Sequence, residues 1–171
     1  MRKLTNQELR VTAEQRIKNK SQNSKVIYLI LDNLRSVHNI GAIFRIADAV
    51  GVKKLYLCGI CAHPPRIDLE KTACKTIPYV EWEYCENTIR LVKQLKSTNI
   101  KIIALEQTDE SLDYKSLKYS GPMALVVGNE VDGVDQKVLD LCDQAIDIPM
   151  LGFANSLNVT TALGIVLYSI N

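Results

Sequence analysis

The sequence has no glycine-rich phosphate loop, no second C-x-x-C pair and no apolar stretch behind its basic first residues. Each absence closes off a class of function. A dinucleotide-binding fold needs G-x-G-x-x-G after its first strand, because only glycines let backbone amides approach a pyrophosphate. Here the segment after the first apolar run reads Asp32-Asn33-Leu34-Arg35-Ser36-Val37-His38-Asn39, and the next glycine is Gly41. Gly128 and Gly133 are spaced like the start of a phosphate loop, but Val134-Asp135 stands where Lys-Ser/Thr is required, which argues against nucleoside triphosphate hydrolysis. Cys58-Gly59-Ile60-Cys61 is followed only by His63 and Cys74, so a tetrahedral zinc site would have to recruit a distant ligand. No metal is expected; the pair reads as a strand end with small apolar thiols. Residues 1 to 8 lack both an apolar core and a small-residue cleavage site, so no secretion signal is expected. Five cysteines, an odd count without such a signal, read as reduced thiols of a cytoplasmic protein.

What is present fits one globular domain: 171 residues, 47% apolar and 23% charged, with no low-complexity tract. Net charge is only +2, but it is unevenly spread. Residues 1 to 25 hold Arg2, Lys3, Arg10, Arg16, Lys18, Lys20 and Lys25 against Glu8 and Glu14, a basic N-terminal extension to the domain expected over residues 26 to 171. Such a segment can contact phosphates through charge alone, and it reads equally well as the solvated face of a helix. Residues 109 to 150 lean the other way, with nine Asp/Glu and three Lys, a face a polyanion should avoid.

Along the chain, apolar runs of strand length alternate with helical periods. A helix is expected over 4 to 17, opened by a Thr5/Glu8 capping box, then a short linker at 21 to 24. Strands are expected at 26 to 31, 52 to 58, 79 to 84, 100 to 105, 123 to 127 and 145 to 148. Helices are expected at 39 to 50, 87 to 95, 136 to 142 and 156 to 170. This alternation implies an α/β fold, a mainly parallel sheet flanked by helices on both faces, with ligands at the carboxyl ends of the strands. Three post-strand loops are unusually polar: 32 to 39, 128 to 135 and 149 to 158. From Ile148 to Asn171 no side chain carries a charge. The helical part is too short and too polar, with Asn158, Thr160 and Thr161, for the ~20 apolar residues of a membrane span. A helix apolar on nearly every side must be buried, and a second copy of the chain is the expected cover.

The three polar loops resemble, in order, the three motifs of the SpoU/TrmH family of SPOUT-class RNA 2′-O-ribose methyltransferases. Leu31-Asp32-Asn33 followed by His38-Asn39-Ile40-Gly41-Ala42-Ile43-Phe44-Arg45 is similar to the family's N-x-G-x-x-x-R signature. Leu125-Val126-Val127-Gly128-Asn129-Glu130 with the later Gly133 is similar to its strand ending in G-N-E. Ile148-Pro149-Met150 and Ser156-Leu157-Asn158-Val159 resemble its I-P-M and S-L-N-V pair. Ser36-Val37 stands where many relatives have an acidic residue and proline, and Thr160 where a serine is often seen. The resemblance covers about residues 26 to 171 and implies a C-terminal trefoil knot, where general topology rules would give an unknotted sheet.

It also implies S-adenosylmethionine as cofactor and RNA (tRNA or rRNA) as partner, while the uncharged C-terminal stretch predicts a homodimer in which the C-terminal helix and part of the 39 to 50 helix bury one another. The cofactor cleft would comprise Leu105, Glu106, Gly128, Asn129, Ile148, Met150 and Leu157, with Leu105, Ile148 and Leu157 sandwiching the adenine. Without the motifs, these apolar residues would read as plain core. Arg45, Asn39, Glu130, Ser156 and Asn158 would carry the chemistry; as bare sequence, Asn39 and Ser156 read as helix-opening residues. Arg45, on an otherwise apolar helix, needs a partner for its charge, either Asp48 one turn on or an RNA phosphate held in a forked contact. A guanidinium is a poor proton acceptor near neutral pH, which favours stabilisation of a developing alkoxide over base catalysis. A non-catalytic knotted RNA-binding protein and a nicotinamide-dependent enzyme are the other readings, the second lacking its glycine fingerprint.

Overall fold

The computed structural model describes residues 1–18, 25–118 and 121–170. The linker expected at 21 to 24 lies outside the described residues. In chain order the elements are α1 (Asn6–Lys18), β1 (Ile27–Asp32), α2 (Val37–Val50), β2 (Lys54–Cys58), α3 (Ile67–Thr72), β3 (Trp82–Cys85), α4 (Thr88–Ser97), β4 (Lys101–Leu105), β5 (Leu112–Asp113), β6 (Met123–Val127), α5 (Gln136–Leu139), β7 (Gln144–Asp147) and α6 (Val159–Ile170). The strands form one sheet in the order β3-β2-β1-β6-β4-β7-β5, and every pairing is parallel.

The apolar runs of β1 and β6 follow from burial on both faces. Leu29, Leu31 and Leu125 point into a core shared with Ile40, Ile43 and Phe44 of α2 and Leu163, Val166 and Leu167 of α6. Their neighbours Ile30, Ala124 and Val126 point the other way, onto Leu91, Val92 and Leu95 of α4 and Val138 of α5. The alternation of side chains along a strand produces these two cores.

Local chemistry explains where element bounds differ from expectation. The capping box opens α1, with the Thr5 amide donating to the Glu8 carboxylate at 2.7 Å and the Glu8 amide to Thr5 Oγ1 at 3.3 Å. The Arg2 guanidinium beside Glu8 holds its carboxyl down at about 2. Helix α2 begins at Val37 rather than Asn39, because Ser36 Oγ accepts from the Asn39 amide and makes Ser36 the cap. Asn39 thus sits inside the first turn. It closes at Gly51, whose positive φ of 73° lets its amide reach the last carbonyls. Helix α6 begins at Val159, not Ser156: Asn158 takes the opening position, its Oδ1 accepting from the Thr160 amide and its carbonyl from the Ala162 amide. Helix α5 has four residues, shorter than expected, and β3 lies later than expected, after a 3-10 turn at Ile77–Tyr79. Helix α3, with one buried residue, and the two-residue β5 carry no period to read.

Strand order reverses between β1 and β6: β2 and β3 extend one way, β4, β7 and β5 the other. Loops leaving adjacent strands on opposite sides of such a point open a crevice at the carboxyl edge of the sheet. All three polar loops of the sequence leave that edge.

Candidate active site

The loop after β6 is the centre of the site. Two carboxylates from flanking strands grip its returning end: Glu106, after β4, accepts from the Val134 amide at 3.0 Å, and Asp32, ending β1, accepts from the Asp135 amide at 3.1 Å. The loop is tight enough to demand glycine twice. A Cβ on Gly128 would fall 1.9 Å from the Gly133 backbone, and one on Gly133, at φ +71°, would fall 2.2 Å from the Glu106 carboxylate. Asn129 pins the turn between them, its Oδ1 accepting from the Val131 and Asp132 amides at 2.9 Å each.

Glu130, at the tip, reaches back to the start of α2. Its carboxylate accepts from the amides of Arg35 and Ser36, both at 3.1 Å, and from Asn39 Nδ2 at 2.8 Å. Partial burial pushes this carboxyl up, but the donation from Asn39 and the backbone amides outweighs it and holds the group below its ordinary value. Asn39 Oδ1 in turn accepts from Asn158 Nδ2 at 3.2 Å. A single hydrogen-bonded chain, Glu130–Asn39–Asn158, therefore joins the three polar loops.

Beside this chain lies a cleft of about 560 Å³, lined by Leu105, Glu106, Gly128, Asn129, Glu130, Ile148, Met150, Ser156, Leu157 and Asn158 among others. Its size is that of a small-molecule site. The seven residues expected at a cofactor all line it, as do Glu130, Ser156 and Asn158, while Asn39 stands behind through its two hydrogen bonds. The lining holds four carboxylates, Glu106, Glu130, Asp132 and Asp147, and no Lys, Arg or His. That field suits a ligand with cationic centres and disfavours phosphates. S-adenosylmethionine, with a sulfonium, an ammonium and no phosphate, fits these walls. Gln107 Nε2 donates to the Asn155 carbonyl at 2.7 Å and ties the loop after β4 to the one after β7 across the cleft.

Arg45 is not brought to this cleft. It is exposed on α2, six residues beyond Asn39 and thus about 9 Å further along the axis. Among the described residues no salt bridge includes Arg45. Sequence reasoning missed the parts played by Asp32, Asp132 and Asp147. Asp32 carried a signal: a carboxylate ending an apolar, doubly buried strand must find donors, and here it takes Thr88 Oγ1 at 2.6 Å and Asn33 Nδ2 at 3.0 Å besides the Asp135 amide. The C-x-x-C pair is packed, not exposed: Cys61 Sγ accepts from the Leu34 amide and contacts the Leu31 carbonyl, and burial pushes its thiol up to about 12.

The sequence pattern of the SpoU rRNA Methylase family matches residues 26–168, which span every loop of this site. The chain belongs to that family. This SpoU-family chain is 35% identical over 144 residues to the tRNA (guanosine(18)-2′-O)-methyltransferase of Aquifex aeolicus, covering 84% of this chain and 68% of that one. The crystal structure of the A. aeolicus TrmH/SpoU tRNA modifying enzyme superposes with a TM-score of 0.80 at 33% identity, covering 92% of this chain and 82% of that one. An AdoMet-bound rRNA methyltransferase from Sinorhizobium meliloti superposes with a TM-score of 0.80 at 27% identity, over 86% of this chain and 56% of that one. The SpoU-family chain spans only 57% to 60% of the length of several other curated relatives it matches.

Proposed function

We propose that this chain is a methyltransferase that moves a methyl group from S-adenosylmethionine to a ribose 2′-hydroxyl of tRNA or rRNA. The observation that carries the reading is the Glu130–Asn39–Asn158 chain closing one side of an acidic cleft, in a member of this methylase family. The cofactor supplies an electrophilic methyl on a sulfonium; the protein must align the hydroxyl with it and stabilise the oxygen as its proton leaves. Leu105, Ile148 and Leu157 would hold an adenine between apolar walls, in an acidic lining that favours the sulfonium. Ser156 and Asn158, at the cleft mouth, would orient the incoming ribose. The family's C-terminal trefoil knot is part of the proposal. Incubation of the chain with methyl-tritiated S-adenosylmethionine and total cellular RNA, followed by alkaline digestion, tests the reading. Label in alkali-resistant dinucleotides is expected; label only in mononucleotides would place the methyl on a base and refute ribose methylation.

The working form we propose is a homodimer. Leu151 and Phe153 are fully exposed, and Ile165 and Tyr168 stand outward on α6 beside its buried face, all within the uncharged C-terminal stretch. A second copy packing on α6 and α2 would cover them and put Arg45 at the subunit boundary. Sedimentation should give a dimer at micromolar concentration, and a stable monomer would contradict it. No helix among the described residues is long and apolar enough to cross a membrane. Its five free cysteines support a cytoplasmic enzyme. Residues 1 to 25 would act as a separate basic extension that adds sequence-independent contacts to RNA.

A further inference from the structure

His63, Trp82 and Tyr84 form an aromatic cluster that the methyl-transfer reading does not use. Trp82 and Tyr84, two apart on β3, share one face of the sheet. The His63 ring lies 4.5 Å from that of Tyr84 and 6.5 Å from that of Trp82, with the latter pair only 24° from coplanar. The group is partly open to solvent: His63 is exposed, Tyr84 is 40% exposed and Trp82 is half-buried, and Ile60 and Tyr79 nearby in sequence are exposed as well. Among the described residues β3 is the edge strand of the sheet.

The cluster is fixed relative to the candidate active site. Tyr84 Oη donates to the Gly59 carbonyl at 3.0 Å, the Ile60 amide donates to Asn33 Oδ1 at 3.2 Å, and the Asn33 amide donates to the Cys58 carbonyl at 3.3 Å. Asn33 is two residues before Arg35, whose amide Glu130 holds. Trp82 packs against the same core as α2, so the rings lie on the sheet face that carries Asn39 and Arg45. Tyr84, one residue from the carboxyl end of β3, and His63, in the segment after β2, lie toward the edge that carries the cleft, while Trp82 opens β3 at its amino end. Three strand spacings separate β3 from β6, about 14 Å at the usual interval.

We propose that this cluster is a stacking platform for an unpaired nucleobase of the RNA substrate, a few nucleotides from the ribose that is methylated. The proposal rests on the ribose-methylation reading. The polar edges of two rings are already satisfied internally, by the Gly59 carbonyl for Tyr84 and by the contact of His63 Nδ1 with the Pro64 carbonyl. The exposed outer surface of the cluster offers a partner aromatic ring area, the chemistry with which proteins take up bases splayed from single-stranded loops. An RNA whose ribose enters the cleft mouth on the α2 face is brought past this edge. The substrate class so defined is a loop or single-stranded region, not a continuous duplex.

Trp82 is the only tryptophan of the chain, so its emission reports on the platform directly. The full chain is titrated with a 12-nucleotide oligoadenylate, an abasic oligoribonucleotide of equal length and a 12-base-pair RNA duplex. Oligoadenylate should quench Trp82, whereas the abasic and duplex RNAs should leave it nearly unchanged. His63→Ala, a change at an exposed side chain, and Tyr84→Leu should each weaken oligoadenylate binding about tenfold and raise the KM for total RNA, while S-adenosylmethionine binding by calorimetry keeps its native value. Equal quenching by all three RNAs, or oligoadenylate affinities within twofold of native in both variants, would overturn the platform. The quenching needs no turnover, so a native chain that methylates no RNA would sink the ribose-methylation reading and leave this test to decide the platform separately.

Discussion

Replacing Asp32 with alanine should destabilise the chain by about 3 kcal/mol and loosen the cleft. Asp32 is 1% exposed, and its carboxylate serves three donors: Thr88 Oγ1, Asn33 Nδ2 and the Asp135 amide. Alanine leaves them without it. Thr88 is itself 6% exposed, so its hydroxyl pays a buried group's full cost of about 1–3 kcal/mol. The Asp135 amide is partly buried and would lose about 1 kcal/mol, while half-buried Asn33 can turn to water. Against a typical total of about 5–15 kcal/mol the variant still folds. Urea denaturation measures it: with m near ~2 kcal/mol/M the midpoint should fall by about 1.5 M. Thr88→Val should cost about 1 kcal/mol alone and less in the Asp32→Ala background, where no hydroxyl is left stranded. Because Asp32 and Glu106 hold consecutive amides of the Gly128–Asp135 loop, Asp32→Ala should also weaken S-adenosylmethionine binding. A loss below about 1 kcal/mol, or additive effects of the two substitutions, would refute the reasoning.

Arg45→Lys should keep fold and cofactor affinity but lose most of the methylation rate, since an ammonium cannot make a forked phosphate contact; near-native transfer to RNA would remove that role. For Glu130 the folded carboxyl sits below its ordinary value, so its stabilising contribution is fully present above the unfolded value of about 4.3 and disappears as pH falls through the folded one. The stability gap between the native chain and Glu130→Gln should therefore stay constant from neutral pH down to about pH 5 and close at lower pH; a gap that closes above that range would show the sign to be wrong. Deleting residues 1 to 20 should weaken RNA binding and flatten its salt dependence with cofactor affinity nearly constant, and an unchanged salt slope would return the segment to an ordinary surface helix.

Most strands were legible because parallel strands buried on two faces must be continuous apolar runs, as at Leu29-Ile30-Leu31 and Leu125-Val126-Val127. Elements without a buried period were not: α3 hides only Leu69, and β5 is two residues long. Helix starts were misplaced by two or three residues at α2 and α6, where Ser36 and Asn158 offer side-chain oxygens to later amides. Several polar residues close to each start could cap, and only the finished backbone selects one.

Which residues could meet at a ligand was legible before folding, since each motif follows an apolar strand, and strand ends in a parallel sheet share one edge. How they meet is set by long-range packing. Glu130 lies 91 positions from Asn39, and Asn158 lies 119 from it, so no local period or propensity encodes their hydrogen bonds. Those bonds depend on β1 pairing with β6 in one register and on Asp32 and Glu106 gripping the loop between. The packing of α2 likewise sets where Arg45 points: Ile40, Ile43, Phe44 and Ala47 take the core-facing side and leave position 45 to solvent.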